Sequence, residues 1–179
     1  MSRAFIGDDQ YDAADDESPE IKIPIPAGSR NYVTPEGAAL LAEELGRLET
    51  ETRSSLTIEI ERLVKGGQEA TELLSNTRRA LGRVNRRIEY LSVMASLATT
   101  VETPAQGYDT VRFGATVTIM EGSTQSTYRI VGIDEADSQQ GRIGWTSPIA
   151  RALIGKRPGD NAVATLPEGE RHITIVSIS

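Results

Sequence analysis

A chain of 179 residues with 38% hydrophobic content and only one Trp, two Phe and five Tyr suits two small cores better than one large one. Its formal charge of −7 argues against autonomous, salt-driven binding to a nucleic-acid backbone unless the basic residues cluster on one face, and favours a basic protein surface as partner. With no cysteine, disulfides, thiolate metal sites and cysteine nucleophiles are excluded; with no signal-peptide pattern or membrane-length apolar run, the expected location is cytoplasmic, with no membrane partner.

Residues 1–31 carry Asp8, Asp9, Asp12, Asp15, Asp16, Glu17 and Glu20 against Arg3, Lys22 and Arg30. So much negative charge with so few large apolar residues predicts a disordered acidic tail, because there is little to offset the entropy of ordering.

At "VTPEG", Thr34 offers a capping hydroxyl, Pro35 fits the first helical position and Glu36 faces the positive end of the helix dipole. Leu41, Leu45, Leu48, Thr52, Leu56, Ile60 and Leu63 then recur at threes and fours along one stripe. After Gly66 and Gly67, Leu74, Thr77, Leu81, Val84, Ile88, Leu91 and Ala95 alternate gaps of three and four as a heptad seam. The expectation is an antiparallel α-helical coiled-coil hairpin over residues 32–101, roughly 45 Å long, with its tip near 66–72.

Charge is segregated on this hairpin. The first helix is rich in glutamate, whereas the second carries Arg78, Arg79, Arg83, Arg86 and Arg87. Two readings are open: pairing of these charges between the helices, or a basic strip for a phosphate backbone. Glu69 and Glu72 at the tip stand one turn apart, a spacing that a hard cation can use and that any solvated helix also shows.

Residues 102–109 read as a Pro- and Gly-containing linker. Beyond it the period changes to two: Val111, Phe113, Ala115, Val117 and Ile119, then Tyr128 and Ile130, Ile143 and Trp145, and Ile173 and Ile175. These alternations predict half-buried antiparallel strands. "SPIARALIG" is a short helix between them, with Ser147 as cap, Pro148 in its first turn and Gly155 as its stop. Residues 110–179 are thus a small α+β domain of antiparallel strands around a short helix. His172, the single histidine, has no serine or cysteine partner in view. "LIGKRPG" lacks the spacing of a phosphate loop, and Asp134, Glu135 and Asp137 lack a calcium-loop pattern, which leaves a solvated turn or a charged docking spot.

Taken together, "YVTPEG" opening a hairpin, "VRFGATVTI", "YRIVGIDEADSQQGRIGWTSPIARALIGKRPGD" and "LPEGERHITIVSI" resemble the GreA/GreB family of bacterial transcription elongation factors over residues 32–179, and "NRRIEYL" is similar to the GreB branch. The resemblance implies a hairpin that enters the secondary channel of bacterial RNA polymerase and an FKBP-like C-terminal domain seated on the channel rim. It places the rim contact on Asp134, Glu135, Ala136 and Asp137 and on Ser147, Pro148 and Ile149, and turns Arg78, Arg79 and Arg83 toward the displaced 3′ end of nascent RNA. In the family, a tip Asp and Glu help hold a second Mg²⁺ in the polymerase's own active site. Here those two positions fall on Gln68 and Thr71 counted from "VTPEG", or on Gly67 and Ala70 counted back from "YL", and none is acidic. The expectation is therefore a monomeric elongation regulator, without cofactor or catalytic residues of its own, whose cleavage stimulation is reduced or lost. The alternatives are a working cleavage factor that uses Glu69 and Glu72, sharing the polymerase Mg²⁺, and, from another class, an FKBP-like folding factor.

Overall fold

The computed structural model describes residues 21–67, 71–102, 104 and 107–179. The acidic segment up to Glu20 and the tip residues Gln68, Glu69 and Ala70 lie outside the described residues.

The chain enters through β1 (Asn31–Val33), which pairs in parallel with β2 (Ala98–Thr100) at the far end of the helical part. This small sheet corrects the expected boundaries. Asn31, assigned by sequence to the tail, is buried at the base of the hairpin, where its side-chain amide donates to the Met94 carbonyl at 3.1 Å.

Thr34 caps α1 (Pro35–Arg47), its hydroxyl oxygen accepting from the Gly37 N–H at 3.0 Å. The rod continues through a π turn over Leu48–Thr52 into α2 (Arg53–Lys65). That wide turn has a sequence cause. Leu48, Thr52, Leu56 and Ile60 are spaced by four three times running, one residue more than a heptad seam allows, and a wider turn absorbs the surplus so that Leu63 still faces inward. Gly67, at φ +70°, takes the left-handed conformation just beyond the end of α2. The chain returns as α3 (Glu72–Ser96). Antiparallel packing follows from the contacts: Leu41 with Leu91 and Met94 near the base, Glu44 with Arg87 one turn on, and buried Leu63 and Leu74 toward the tip.

The C-terminal part is a five-stranded sheet in the order β5-β4-β3-β7-β6, with β3 (Thr116–Glu121), β4 (Thr124–Val131), β5 (Arg142–Gly144), β6 (Asn161–Leu166) and β7 (Gly169–Ile178). Four of the expected features need correction. Val111 and Phe113 precede the strand proper, because the chain turns at Gly114, φ +87°. The strand at Ile143 runs parallel to β4, not antiparallel, since two 3-10 turns at Ile133–Glu135 and Ser138–Gln140 carry the chain over before it re-enters. Trp145 lies just past β5. β6 was not anticipated, because its inward residues, Ala162 and Ala164, are too small to mark an alternation.

The short helix is as expected: α4 (Pro148–Leu153) is capped by Ser147, whose Oγ accepts from the Ala150 N–H at 3.2 Å, and Gly155 follows at φ +84°. Ala150 and Leu153 pack on Val117, Ile119, Ile130, Ile173 and Ile175 to make the second core. Among the described residues, no helix is long and apolar enough to cross a membrane.

Candidate functional site

The acidic turn after β4 sits where the two parts of the molecule meet, and its four residues have different surroundings. Glu135 points inward. Its carboxylate accepts from the Thr34 N–H at 2.9 Å, from the Thr34 hydroxyl in a short contact, and from the Gly132 N–H at 3.1 Å. It therefore satisfies the first backbone donor of α1 and places negative charge at the positive end of that helix. A Cβ on Gly37 would lie 2.1 Å from the Glu135 carboxyl carbon, and one on Gly132 would lie 2.5 Å from its Oε1. The glycine of "VTPEG" thus makes room for a carboxylate that reaches Thr34 from 101 residues away.

Asp134 remains exposed and accepts from the Tyr90 hydroxyl of α3 at 2.9 Å. Burial first, and this hydrogen bond second, push the Tyr90 phenol up to about 12. Asp137 caps the turn at Ser138–Gln140 and lies 3.5 Å from the Arg142 guanidinium. Ala136 is exposed.

The second expected docking segment lies beside the first. Gly144 of β5 lies beside Ile133 and Ala136, where a Cβ would make ordinary contact with them at 3.6 and 3.8 Å, and Ser147 and Pro148 follow directly at the start of α4. Pro148 is exposed, whereas Ile149 packs on the domain core. A groove of about 490 Å³ runs from this turn to the hairpin, floored by Leu40, Leu41 and Leu91 and walled by Glu44, Arg87 and Arg142. Leu40 is 59% exposed within it. Sequence periodicity left Leu40 outside the seam and gave no reason to single it out.

The arginines of α3 divide between the two readings left open by the sequence. Arg87 is held by Glu44 across the hairpin, at 2.8 and 2.9 Å, and lies over the Tyr90 ring at 5.2 Å from its centroid. Hydrogen bonding to Arg87 is the main reason the Glu44 carboxyl lies below its usual range. The remaining four are exposed, and Arg78, Arg79, Arg83 and Arg86 form no ion pair among the described residues. Arg79 donates to Asn76 at 2.6 Å. At 100° per residue, Arg79, Arg83 and Arg86 project away from the buried Leu74, Thr77, Ile88 and Leu91, with Arg78 on the flank.

At the tip, Thr71 is the N-cap of α3, its hydroxyl oxygen accepting from the Leu74 N–H at 3.3 Å. Glu72 heads the helix and is exposed; its expected partner Glu69 lies outside the described residues. No group of three or more His, Asp or Glu side chains is gathered as a metal site among the described residues.

Comparison with known proteins gives a consistent picture. Residues 105–179 match the family model described as transcription elongation factor, GreA/GreB, C-term. The chain is 37% identical over 155 residues to transcription elongation factor GreB of Neisseria meningitidis serogroup A, covering 84% of this chain and 94% of that one. It is 38% identical over 153 residues to transcription elongation factor GreA of Hyphomonas neptunium, covering 82% and 95%. Among solved structures, GreA factor homolog 1 (Gfh1) of Thermus thermophilus is similar at 23% identity over 84% of this chain and 99% of that one, with a TM-score of 0.40.

Proposed function

Because the chain belongs to the GreA/GreB family of transcription elongation factors, we propose that it regulates elongation by binding RNA polymerase, hairpin in the secondary channel and C-terminal domain on the channel rim, with little stimulation of transcript cleavage. The rim contact falls to Asp134, Ala136 and Asp137 with Ser147 and Pro148, a continuous surface beside β5. Glu135 supports that surface from beneath through Thr34 and does not itself face the partner. Arg79, Arg83 and Arg86 line the solvent side of α3, the side open to an RNA 3′ end.

The tip carries the proposal of weak cleavage. Thr71, one of the two positions on which the family's tip glutamate falls, is a helix cap whose hydroxyl is occupied with the Leu74 N–H. A hydroxyl that caps a helix is a poor substitute for a carboxylate on Mg²⁺, which binds at about 2.1 Å and tolerates little misplacement. Glu69 and Glu72 keep the spacing of the family's acidic pair but stand one or two residues beyond its positions, which on a helix is a rotation of roughly 100° to 200°, too large for the placement a shared ion needs. The protein accordingly acts on the polymerase and is not an enzyme by itself.

A transcript-cleavage assay on backtracked polymerase complexes tests this. The natural protein should cleave far more weakly than a factor with two tip acids and should compete with it for the channel. Replacing residues 67–74 by a tip of the family type should restore cleavage. Robust cleavage by the natural protein, abolished in Glu72→Ala or Glu69→Ala, would overturn the proposal in favour of tip glutamates that work from shifted positions.

A further inference from the structure

The negative charge of this chain is concentrated at one end. Seven carboxylates and one arginine among the first twenty residues account for −6 of the formal −7, so the remainder is close to neutral. That remainder nonetheless displays a strip of four exposed arginines without ion pairs among the described residues, Arg78, Arg79, Arg83 and Arg86. The carboxylates of α3 itself are only Glu72 and Glu89. An exposed basic strip and an acidic segment in one molecule attract each other.

The geometry brings them within reach. Ile21, where the described chain begins, lines a groove with Ile23, Ile25, Pro26 and Leu97, the residue that ends α3. Leu97 stands eighteen residues after Arg79, five full turns at 3.6 residues each, so it shares the azimuth of the strip. At 1.5 Å per residue the strip lies roughly 16 to 29 Å along α3 from Leu97. Twenty residues of extended chain span up to about 66 Å, more than enough to follow it.

We propose that the acidic N-terminal segment, residues 1–20, lies along the arginine strip of α3 and neutralises it. The contact needs only charge and reach, so it does not depend on the strip meeting RNA inside a polymerase complex. Tethering holds the segment at a high effective concentration beside its target, which lets individually weak, exposed pairs act together. Salt should release it, since exposed charges are screened over about 8 Å at 0.15 M ionic strength and over about 3 Å at 1 M. A polyanion that seeks the strip would first have to displace the segment.

The absence of native cysteine allows a direct test. Dyes on Ser2→Cys and Ser75→Cys in the full chain should show efficient energy transfer at low salt that falls toward 1 M salt. With Arg79→Glu, Arg83→Glu and Arg86→Glu added, transfer should already be low at low salt. These side chains are exposed, and helical circular dichroism checks that the fold is kept. In parallel, deleting residues 1–20 should tighten binding of a single-stranded RNA 20-mer about tenfold or more at 50 mM salt, and the gain should vanish on the charge-reversed hairpin. Equal energy transfer in both hairpins would overturn the contact. An RNA affinity unchanged by the deletion, or raised equally on the charge-reversed hairpin, would overturn the strip as what the segment covers.

Discussion

A glycine in the first turn of a helix normally weakens it by up to about 1 kcal/mol relative to alanine, yet Gly37 stands there because any side chain would strike Glu135. Gly37→Ala should therefore lower the melting temperature, by roughly 4–8 °C for a loss of about 2 kcal/mol, against its favourable propensity. In a Glu135→Ala background the same substitution should become neutral or stabilising; additive effects in that double-mutant cycle would show that the two residues do not share a site. Tyr90 offers a second residue-level test. Its folded pKa, about 12, lies above the ordinary value near 10, so its contribution to stability is full below pH 10 and is lost as pH rises from 10 through 12. Tyr90 should ionise late in an alkaline absorbance titration, and Tyr90→Phe should remove that step. The cap role of Thr34 was legible from "VTPEG", but the Glu135 carboxylate that completes the cap was not, since nothing local pairs positions 34 and 135.

Among the elements, the first helical rod shows how a defect in period becomes structure. Thr50, exposed in the π turn, returns its hydroxyl to the Gly46 carbonyl at 2.8 Å, and such back-bonding bends helices. Deleting Thr50 should convert the wide turn to ordinary α-helix with the seam still in register, changing stability by no more than about 1 kcal/mol in urea unfolding. A larger loss would mean that the turn itself is required. The sequence shows the surplus residue as three successive gaps of four, but not how the backbone absorbs it. α3 was readable throughout, because its threes and fours never slip. The division of its arginines was not, since Arg87 and Arg86 are sequence neighbours and only the position of Glu44 decides that one of them is taken.

At the scale of the whole molecule, several contacts among the described residues join the helical hairpin and the sheet domain, the Glu36–Arg129 pair at 3.9 Å among them. Glu135 enters the start of α1, Tyr90 meets Asp134, and the Tyr32 ring packs edge-on against Trp145 at 5.5 Å and tilted against Phe113 at 6.1 Å. Exposed ion pairs on α3 with the first twenty residues would add little to folding. Deleting those residues should leave the melting temperature within about 3 °C, by calorimetry, while moving the isoelectric point upward from about 4.9. A drop of 10 °C would place them in the structural core of the molecule. By itself the sequence determined the helices, the strands with a marked alternation, the caps at Thr34 and Ser147, the reversal at Gly66 and Gly67 and the family, because periodicity, capping chemistry and motif order are properties of residues near one another in the chain. Only the tertiary structure decided that β5 runs parallel, that β1 and β2 close the hairpin, and which of Asp134, Glu135 and Asp137 faces outward. Those outcomes depend on partners about ten to a hundred residues apart, and a carboxylate bears no mark in the sequence of whether a distant helix start or water will satisfy it.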